Sequence, residues 1–290
     1  MNFSEQYEIY RKRAEEVLCA ACERMTFEPE ILGKSMRYSL LSGGKRVRPV
    51  LYFAALDAFG VPCCGNEMLA VALECIHTYS LIHDDLPAMD NDDYRRGRLS
   101  NHKMFGEGNA VLAGDALLSY AFDVMLAECG RGEGYLHAAR ALSRAAGAEG
   151  MIAGQSADLL YTGETAGEKE LLTIYRNKTG RLIAAPLVMA ACIAGRNEAA
   201  AERFGLELGT LFQLTDDILD ATGEREKLGK SVGKDAEEQK LTAVKIYTID
   251  GAMEQAKRCA ARCREALLSF EGANTEFLNG MVDYVLQRDR

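Results

Sequence analysis

Two groups of aspartates are the residues of this chain best suited to chemistry. They are Asp84, Asp85, Asp90, Asp92 and Asp93 in the first acidic cluster, and Asp216, Asp217 and Asp220 in the second. Each cluster follows a run of apolar residues, where a solvated helix end is a poor explanation. Carboxylates this close repel one another, and their oxygens suit Mg²⁺, which takes one or two carboxylates together with substrate phosphates. The pattern predicts a site for magnesium and a diphosphate.

The spacing within each cluster predicts its local backbone. In an unbroken helix, Asp90 would point about 240° away from Asp84, too far to share a metal ion with it. Pro87 disfavours helix at the residue before it, so we expect the chain to turn and bring Asp90 back. Asp216 and Asp220 are four residues apart and should share one face of a regular helix.

Basic residues that could bind the diphosphate stand at four places. They are Lys45, Arg46 and Arg48; Arg95 and Arg96; Lys178; and Lys230 with Lys240. Arginine offers a planar fork to phosphate oxygens and lysine a point charge, while Gly43 and Gly44 allow a close approach of the backbone. His77 lies two helical turns before Asp84, on nearly the same face. In an acidic chain, these local groups of cations predict anion binding next to the carboxylates.

The elements that must position these residues are predicted to be helices. Apolar residues recur at helical spacing almost throughout, few segments alternate as strands do, and the chain has only 5 Pro. No linker or repeat divides it, so we expect one all-α domain over residues 1–290. The charged, glycine-bearing segment 223–239 is predicted to be a loop.

Composition excludes several classes of protein. The formal net charge is −9 and the pI is about 5.2, which argues against general binding to nucleic acids or anionic membranes. We expect no membrane span, no secretory signal and a cytoplasmic location, with the 9 Cys reduced and structural. Gly229-Lys230-Ser231 resembles the end of a nucleotide-binding loop, but Glu224 takes the place of its first glycine.

Taken together and in order, the motifs resemble the polyprenyl synthase family, its bacterial farnesyl diphosphate synthases most closely. The resemblance covers nearly the whole chain. It includes Gly43–Pro49, Glu74–Gly97, Asn101–Lys103, Phe105–Glu107, Leu112–Ala116, Gly154–Leu159, Lys178–Gly180, Phe212–Asp220 and Leu228–Lys230. It implies an isoprenoid-synthase-type helical bundle around a central cavity, assembled as a homodimer.

The resemblance also implies a role for each site residue. Carboxylates would hold about three Mg²⁺ around an allylic diphosphate, and these are Asp84, Asp85, Asp90 and Asp216. The same diphosphate would be bound by Arg95, Lys178 and Lys230, with Lys240 nearby. Isopentenyl diphosphate would be bound by Lys45, Arg48, His77 and Arg96. Thr179 and Gln213 would place oxygens near the developing allylic cation.

The implied reaction is the condensation of isopentenyl diphosphate with dimethylallyl or geranyl diphosphate. The allylic carbon–oxygen bond ionises, the double bond of isopentenyl diphosphate attacks, and the released diphosphate takes the final proton. In this family the residues four and five places before the first aspartate limit chain growth, here Ser80 and Tyr79. The ring of Tyr79 predicts that growth stops at farnesyl diphosphate.

Other interpretations stay open at this point. They are a geranylgeranyl diphosphate synthase, a catalytically weak partner subunit of another synthase, a class I terpene cyclase and a purely structural helical protein. A cyclase needs no isopentenyl site, and a structural protein leaves the paired clusters unexplained. After Lys240 the family usually has a Thr-Tyr-Pro run, whereas this chain has Leu241-Thr242-Ala243-Val244. Arg181, Ala184 and Thr215 are further departures, and none of them removes a metal ligand.

Overall fold

The computed structural model describes residues 1–223 and 240–287. Lys230 and most of the predicted loop 223–239 lie outside these residues. The chain divides into two compact units, of which unit 1 comprises Met1–Phe53 and Pro62–Leu136, and unit 2 comprises Ala54–Val61 and His137–Arg290. The single domain over 1–290 stays a prediction.

The first half of the chain is helical apart from one short hairpin. Its elements are α1 (Phe3–Glu23), α2 (Glu30–Leu40), α3 (Val47–Ala58), α4 (Glu67–Asp84), β1 (Tyr94–Arg95), β2 (Arg98–Leu99), α5 (Asn101–Phe105) and α6 (Glu107–Cys129). Asn2 begins α1 with a capping box in which its side chain accepts from the Glu5 backbone N–H at 2.9 Å. The two strands pair antiparallel through Arg95 and Arg98.

All regular elements of the second half, among its described residues, are helices. Its elements are α7 (Glu133–Ala146), α8 (Met151–Tyr161), α9 (Glu168–Ile174), a π-helical turn (Tyr175–Gly180), α10 (Arg181–Ala194), α11 (Glu198–Thr222), α12 (Ala243–Leu267) and α13 (Glu276–Leu286). Asn197 caps the start of α11, and Gly223 ends it in the left-handed conformation with φ 76°. Thr248 interrupts α12 with φ 65°.

The two helices that carry the acidic clusters, α4 and α11, are largely buried. Helix α4 is buried on more than one face, with Leu69, Leu73 and Ile76 inaccessible to solvent, and it packs mainly against α6 within unit 1. In unit 2, α11 packs against α10, α12 and the π-helical turn. The predicted all-α fold class is confirmed, and the two-residue strands are the only regular strands among the described residues.

Helix α6 differs from one expectation drawn from the sequence. Among the described residues it is the one helix long and apolar enough to cross a membrane, and 39% of its apolar window is buried within the protein. We expected no such stretch. A single helix of this kind is weak grounds for a span, because inner helices of globular proteins meet the same criteria.

Candidate active site

The first acidic cluster lies where α4 ends and the chain reverses. The backbone N–H of Asp90 donates to the carbonyl of Asp84 at 2.8 Å, and that of Asp92 donates to the carbonyl of Asp85 at 3.1 Å. These bonds fold the residues around Pro87 back onto the helix end. The turn predicted from Pro87 is therefore confirmed, and Asp84 and Asp90 belong to one tight turn.

Arg95 is the cation closest to these carboxylates. Its Nε donates to Asp85 Oδ1 at 2.9 Å, its Nη2 pairs with the same oxygen, and Nη2 lies 3.4 Å from Asp92 Oδ2. Burial disfavours its charge, but the hydrogen bond and the charge of Asp85 outweigh burial and raise the pKa of Arg95. Arg95 stays charged, and its guanidinium lies against the cluster.

The donor set of the first cluster fits magnesium. Its ligating atoms are carboxylate oxygens, which suit a hard cation, and neither Cys nor His belongs to it. Within residues 1–223 and 240–287, no group of three or more His, Cys, Asp or Glu is arranged around one point as a metal cage. Mg²⁺ does not require such a cage when substrate phosphates and water complete its shell.

Unit 1 contains the residues predicted to bind isopentenyl diphosphate, which are Lys45, Arg48, His77 and Arg96, and we call them the cationic group. Arg48, Arg96 and the imidazole of His77 lie close enough to influence one another electrostatically. Among the described residues, Nε of Arg48 is buried without a hydrogen-bond partner. Burial, reinforced by the charge of Arg96 and opposed by Glu74, lowers the pKa of Arg48 to about 10. A buried guanidinium nitrogen without an acceptor is what an anion site requires.

Arg96 and His77, two other members of the cationic group, are also affected by burial and by neighbouring positive charges. Burial lowers the pKa of Arg96, with smaller lowering by Arg46 and Arg95. Burial, followed by Arg48 and Arg96, lowers the pKa of His77 well below its ordinary value, so His77 is neutral and can donate one ring N–H. Cations that destabilise one another in this way gain most when an anion binds among them.

Arg46 explains how the Gly43–Pro49 segment is held. Its side chain is fully buried and donates to Glu74 Oε1 at 2.6 Å, to Glu15 Oε1 at 2.8 Å and to the Leu40 carbonyl at 2.8 Å. Its φ of 51° is left-handed. Arg46 therefore anchors the segment from within, whereas Nε of its neighbour Arg48 has no acceptor among the described residues.

The second acidic cluster is built differently, on the regular helix α11 of unit 2. Asp216 and Asp220 are four residues apart on it, as predicted. Asp217 is buried and turns elsewhere, because its carboxylate accepts from the phenol of Tyr175 and from the Ala243 backbone N–H at 2.6 Å. These partners are 42 and 26 residues away in sequence, and no local pattern predicted them.

The π-helical turn carries two predicted site residues. Lys178 Nζ pairs with Oδ2 of the buried Asp158 at 2.6 Å, and the Thr179 hydroxyl donates to Gln213 Oε1 at 2.8 Å. The structure thus brings Thr179 and Gln213 together. π-Helical turns are rare and are frequently found at functional sites. No local pattern in the sequence predicted this turn, and Asp158 was singled out only as part of the motif Gly154–Leu159.

Two glycines let neighbouring helices approach this turn closely. A Cβ on Gly154 of α8 would overlap the backbone nitrogen of Lys178, and one on Gly209 of α11 would lie 2.5 Å from Gly180 Cα. Any side chain at either position would push the turn away. The close packing of α8 against the π-helical turn therefore requires glycine at position 154.

Comparison with known proteins assigns the family. The family model described as polyprenyl synthetase matches residues 29–268 of the chain. The chain belongs to this family. The resemblance drawn from the motifs is therefore confirmed.

Similar proteins of this family are named for different products. The chain is 41% identical to a farnesyl diphosphate synthase of Micrococcus luteus, covering 89% of this chain and 90% of that one. It is 42% identical to a chloroplastic geranylgeranyl pyrophosphate synthase of Catharanthus roseus, covering 90% and 75%. Among solved structures, a Helicobacter pylori geranyltransferase complexed with magnesium and isoprenyl diphosphate aligns at TM-score 0.84 with 29% identity, covering 99% and 97%.

The other predicted site residues with described positions are Tyr79, Ser80 and Lys240. Tyr79 is 5% exposed, and its ring meets His83 edge to face at a centroid distance of 5.7 Å. Burial, followed by the charge of Asp84, raises the pKa of Tyr79 to about 12. Ser80 is half-buried and donates to the His77 carbonyl at 2.8 Å. Lys240 is half-buried and lies three residues before the start of α12. Lys230 lies outside the described residues.

Proposed function

We propose that this chain is a short-chain trans-prenyltransferase that condenses isopentenyl diphosphate with dimethylallyl or geranyl diphosphate. The observation that carries the proposal is the pairing, within unit 1, of an oxygen-only acidic cluster with a cationic group whose Arg48 nitrogen is buried without an acceptor. The acidic cluster suits a diphosphate that is bound through metal ions, and the cationic group suits a diphosphate that is bound without metal. Isoprenoid condensation uses both.

The cationic group binds isopentenyl diphosphate in this proposal. Arg48 and Arg96 offer guanidinium forks to its phosphates, Lys45 adds a point charge, and the neutral His77 donates a single N–H. Burial is the main cause of the lowered pKa of both arginines, and nearby cations add to it. A bound anion would offset both effects. A class I terpene cyclase has no use for this second site, which argues against that alternative.

The allylic diphosphate is held by the remaining residues. Arg95, Lys178 and Lys230 contact its oxygens, Lys240 lies near it, and Thr179 with Gln213 directs oxygens toward the allylic carbon. Asp84, Asp85, Asp90 and Asp216 are the proposed ligands of Mg²⁺, about three ions per site. Bound magnesium supplies positive charge that neutralises the leaving diphosphate.

In this proposal the chain's own residues act by stabilising the charges that develop during the reaction. The cations that hold the allylic diphosphate in place stabilise the negative charge that develops as the carbon–oxygen bond breaks. The hydroxyl of Thr179 donates to the amide oxygen of Gln213. In this proposal both oxygen atoms face the positively charged allylic carbon. The departing diphosphate accepts the final proton, so no side chain is needed as the base.

Farnesyl diphosphate is the proposed product. Tyr79 is buried five residues before Asp84, and its hydroxyl has no hydrogen-bond partner among the described residues. The ring rather than the hydroxyl therefore limits growth. Geranylgeranyl diphosphate is the second candidate, because the relative from Catharanthus roseus carries that name.

A pair of variants separates these products. Tyr79→Ala removes the ring and is expected to shift the main product from fifteen carbons to twenty or more, measured by mass spectrometry. Tyr79→Phe keeps the ring and should leave the product unchanged. A fifteen-carbon product from Tyr79→Ala would remove this residue as the determinant of length.

We further propose a cytoplasmic homodimer. The exposed face of α6 carries four apolar residues exposed by 37% to 70%, together with the exposed Asp115; they are Val111, Leu112, Phe122 and Leu126. An apolar face of this kind marks an interaction surface, and a second copy would cover it by pairing α6 with α6. The mass of the purified chain in solution tests this assembly, and a monomer at micromolar concentration would contradict it.

The deciding experiment is an assay of the purified chain. It is incubated with isopentenyl diphosphate, Mg²⁺ and either dimethylallyl or geranyl diphosphate, and products are identified by mass. We expect a fifteen-carbon diphosphate with both primers. Products of twenty carbons or more would keep the reaction and discard the product. No condensation with either primer would favour the weak partner subunit.

A further inference from the structure

Tyr175 lies at the centre of a buried hydrogen-bond network in unit 2. It is the first residue of the π-helical turn, and its phenol donates to the carboxylate of Asp217. The N–H of Ala243, the first residue of α12, reaches both groups, with Asp217 Oδ2 at 2.6 Å and the Tyr175 oxygen at 2.9 Å. All three residues are buried. Three elements therefore meet at one polar point.

Each group in this network has a physical reason to be there. The first N–H groups of a helix have no partner within the helix, and Asp217 satisfies that of Ala243. A carboxylate at a helix start is also favoured by the positive end of the helix dipole. A buried carboxylate in turn needs donors, and Tyr175 and Ala243 supply two. Loss of the phenol leaves Asp217 short of one donor in a dry environment.

The three elements carry the proposed allylic-diphosphate residues of unit 2. Lys178 and Thr179 follow Tyr175 within the same turn. Asp216 directly precedes Asp217 on α11, and Lys240 lies three residues before Ala243. Displacement of any arm of the network moves one of these side chains. Ala243, where the chain departs from the usual family sequence, belongs to this network. Its N–H donates to both Tyr175 and Asp217.

We propose that Tyr175, acting through Asp217, is a positioning residue for the allylic-diphosphate groups of unit 2. This rests on the proposed function. Tyr175 is not a catalytic residue, because it is buried and touches the carboxylate rather than a substrate group. The two diphosphates differ in what holds them, since the isopentenyl residues Lys45, Arg48, His77 and Arg96 all belong to unit 1. Weakening the network should therefore affect one substrate and spare the other.

The variant Tyr175→Phe tests this by removing one oxygen atom. We expect the affinity for a non-ionising thiolo analogue of geranyl diphosphate, measured by calorimetry with Mg²⁺, to fall about tenfold, as for a lost bond to a charged group. The Kd for isopentenyl diphosphate should stay within about twofold. The KM for geranyl diphosphate should rise while the KM for isopentenyl diphosphate does not.

Tyr52→Phe is the matched control. Tyr52 is a fully buried tyrosine of unit 1 whose hydroxyl has no hydrogen-bond partner among the described residues. Its loss should leave both affinities unchanged. Should Tyr175→Phe not fold, Asp217→Asn removes the charge from the same point and is read by the same ratio of affinities.

Two results would overturn the proposal. Equal weakening of both ligands would show that Tyr175 supports only the fold, and unchanged affinity for both would show that the network positions nothing. Failure of the proposed function gives a different result. In that case the unmodified chain itself neither binds the thiolo analogue nor condenses the two diphosphates.

Discussion

The two acidic clusters have similar sequences but are held by different forces. The first follows the end of α4, in a turn closed by the bond from Asp90 to Asp84, and its Asp85 is paired with Arg95. The second lies within the regular helix α11, where Asp217 is committed to a tyrosine and a backbone N–H. Unit 1 holds Asp85 in an ion pair with Arg95. Unit 2 holds Lys178 both by an ion pair with Asp158 and by close backbone packing against Gly154.

This difference has a consequence for each unit. An ion pair such as Arg95–Asp85 can exchange its partner for a phosphate or a metal ion, because all of these interactions are electrostatic. The backbone contact between Gly154 and Lys178 cannot be exchanged in this way, since it depends on shape. Substitutions in unit 1 should therefore change charge balance, and those in unit 2 should change geometry.

The largest expected effect is on the first cluster. Asp84→Asn keeps the shape of the side chain but removes the charge proposed to bind magnesium, so kcat should fall by about 10³-fold. Because Asp84 is half-buried at a helix end, thermal stability should change little. The measurement is steady-state product formation together with the melting temperature.

Asp93→Asn is its control within the same motif. Asp93 is exposed, pairs with Lys103 at 2.8 Å and is not one of the proposed ligands. This variant should retain nearly full activity, as exposed ion pairs contribute little. Equal loss in both variants would mean that the total charge of the motif matters and not its geometry.

The second effect, on stability, concerns the buried ion pair that anchors the cationic group. In Glu74→Gln, Arg46 loses the charge that it meets at 2.6 Å, with both side chains almost inaccessible. Removing one partner of a buried pair is strongly destabilising, and we expect a loss of about 3 kcal/mol in the free energy of unfolding, measured with urea.

Glu30→Gln is the matched surface variant. Glu30 pairs with Lys34 at 2.9 Å, but both side chains are more than half exposed. The loss there should be below about 0.5 kcal/mol. Similar values for the two variants would show that Arg46 is held by Glu15 and the Leu40 carbonyl, and that Glu74 is dispensable.

The sequence predicts the parts of the site that depend on local rules and misses those that depend on contacts between distant residues. The turn after Pro87 and the shared face of Asp216 and Asp220 depend on local rules, and both were foreseen. The burial of Arg46 was not, because Lys45, Arg46 and Arg48 look alike in sequence and only Glu15 and Glu74 distinguish them. Contacts between residues far apart in sequence leave no local pattern.

The π-helical turn shows the same limit more sharply. Nothing in the residues Tyr175–Gly180 distinguishes hydrogen bonds that span five residues from the usual four. What fixes the turn is the phenol of Tyr175 bound to Asp217 and the close approach of Gly154 and Gly209. These are properties of helices that pack together, and each is invisible until the partner helix is known.

The smallest effect tests packing alone. Gly154→Ala places a methyl group against the backbone of Lys178, so the π-helical turn must shift. Overpacking of this kind costs about 1 to 3 kcal/mol, which we expect as a lower urea midpoint with an unchanged slope. Gly108→Ala on α6 is the control, because a Cβ there meets nothing within 4 Å and alanine is the better helix former. That variant should be stabilised by up to about 1 kcal/mol. If Gly154→Ala were equally stable, α8 would have room to move away, and shape would not be what holds Lys178 in place.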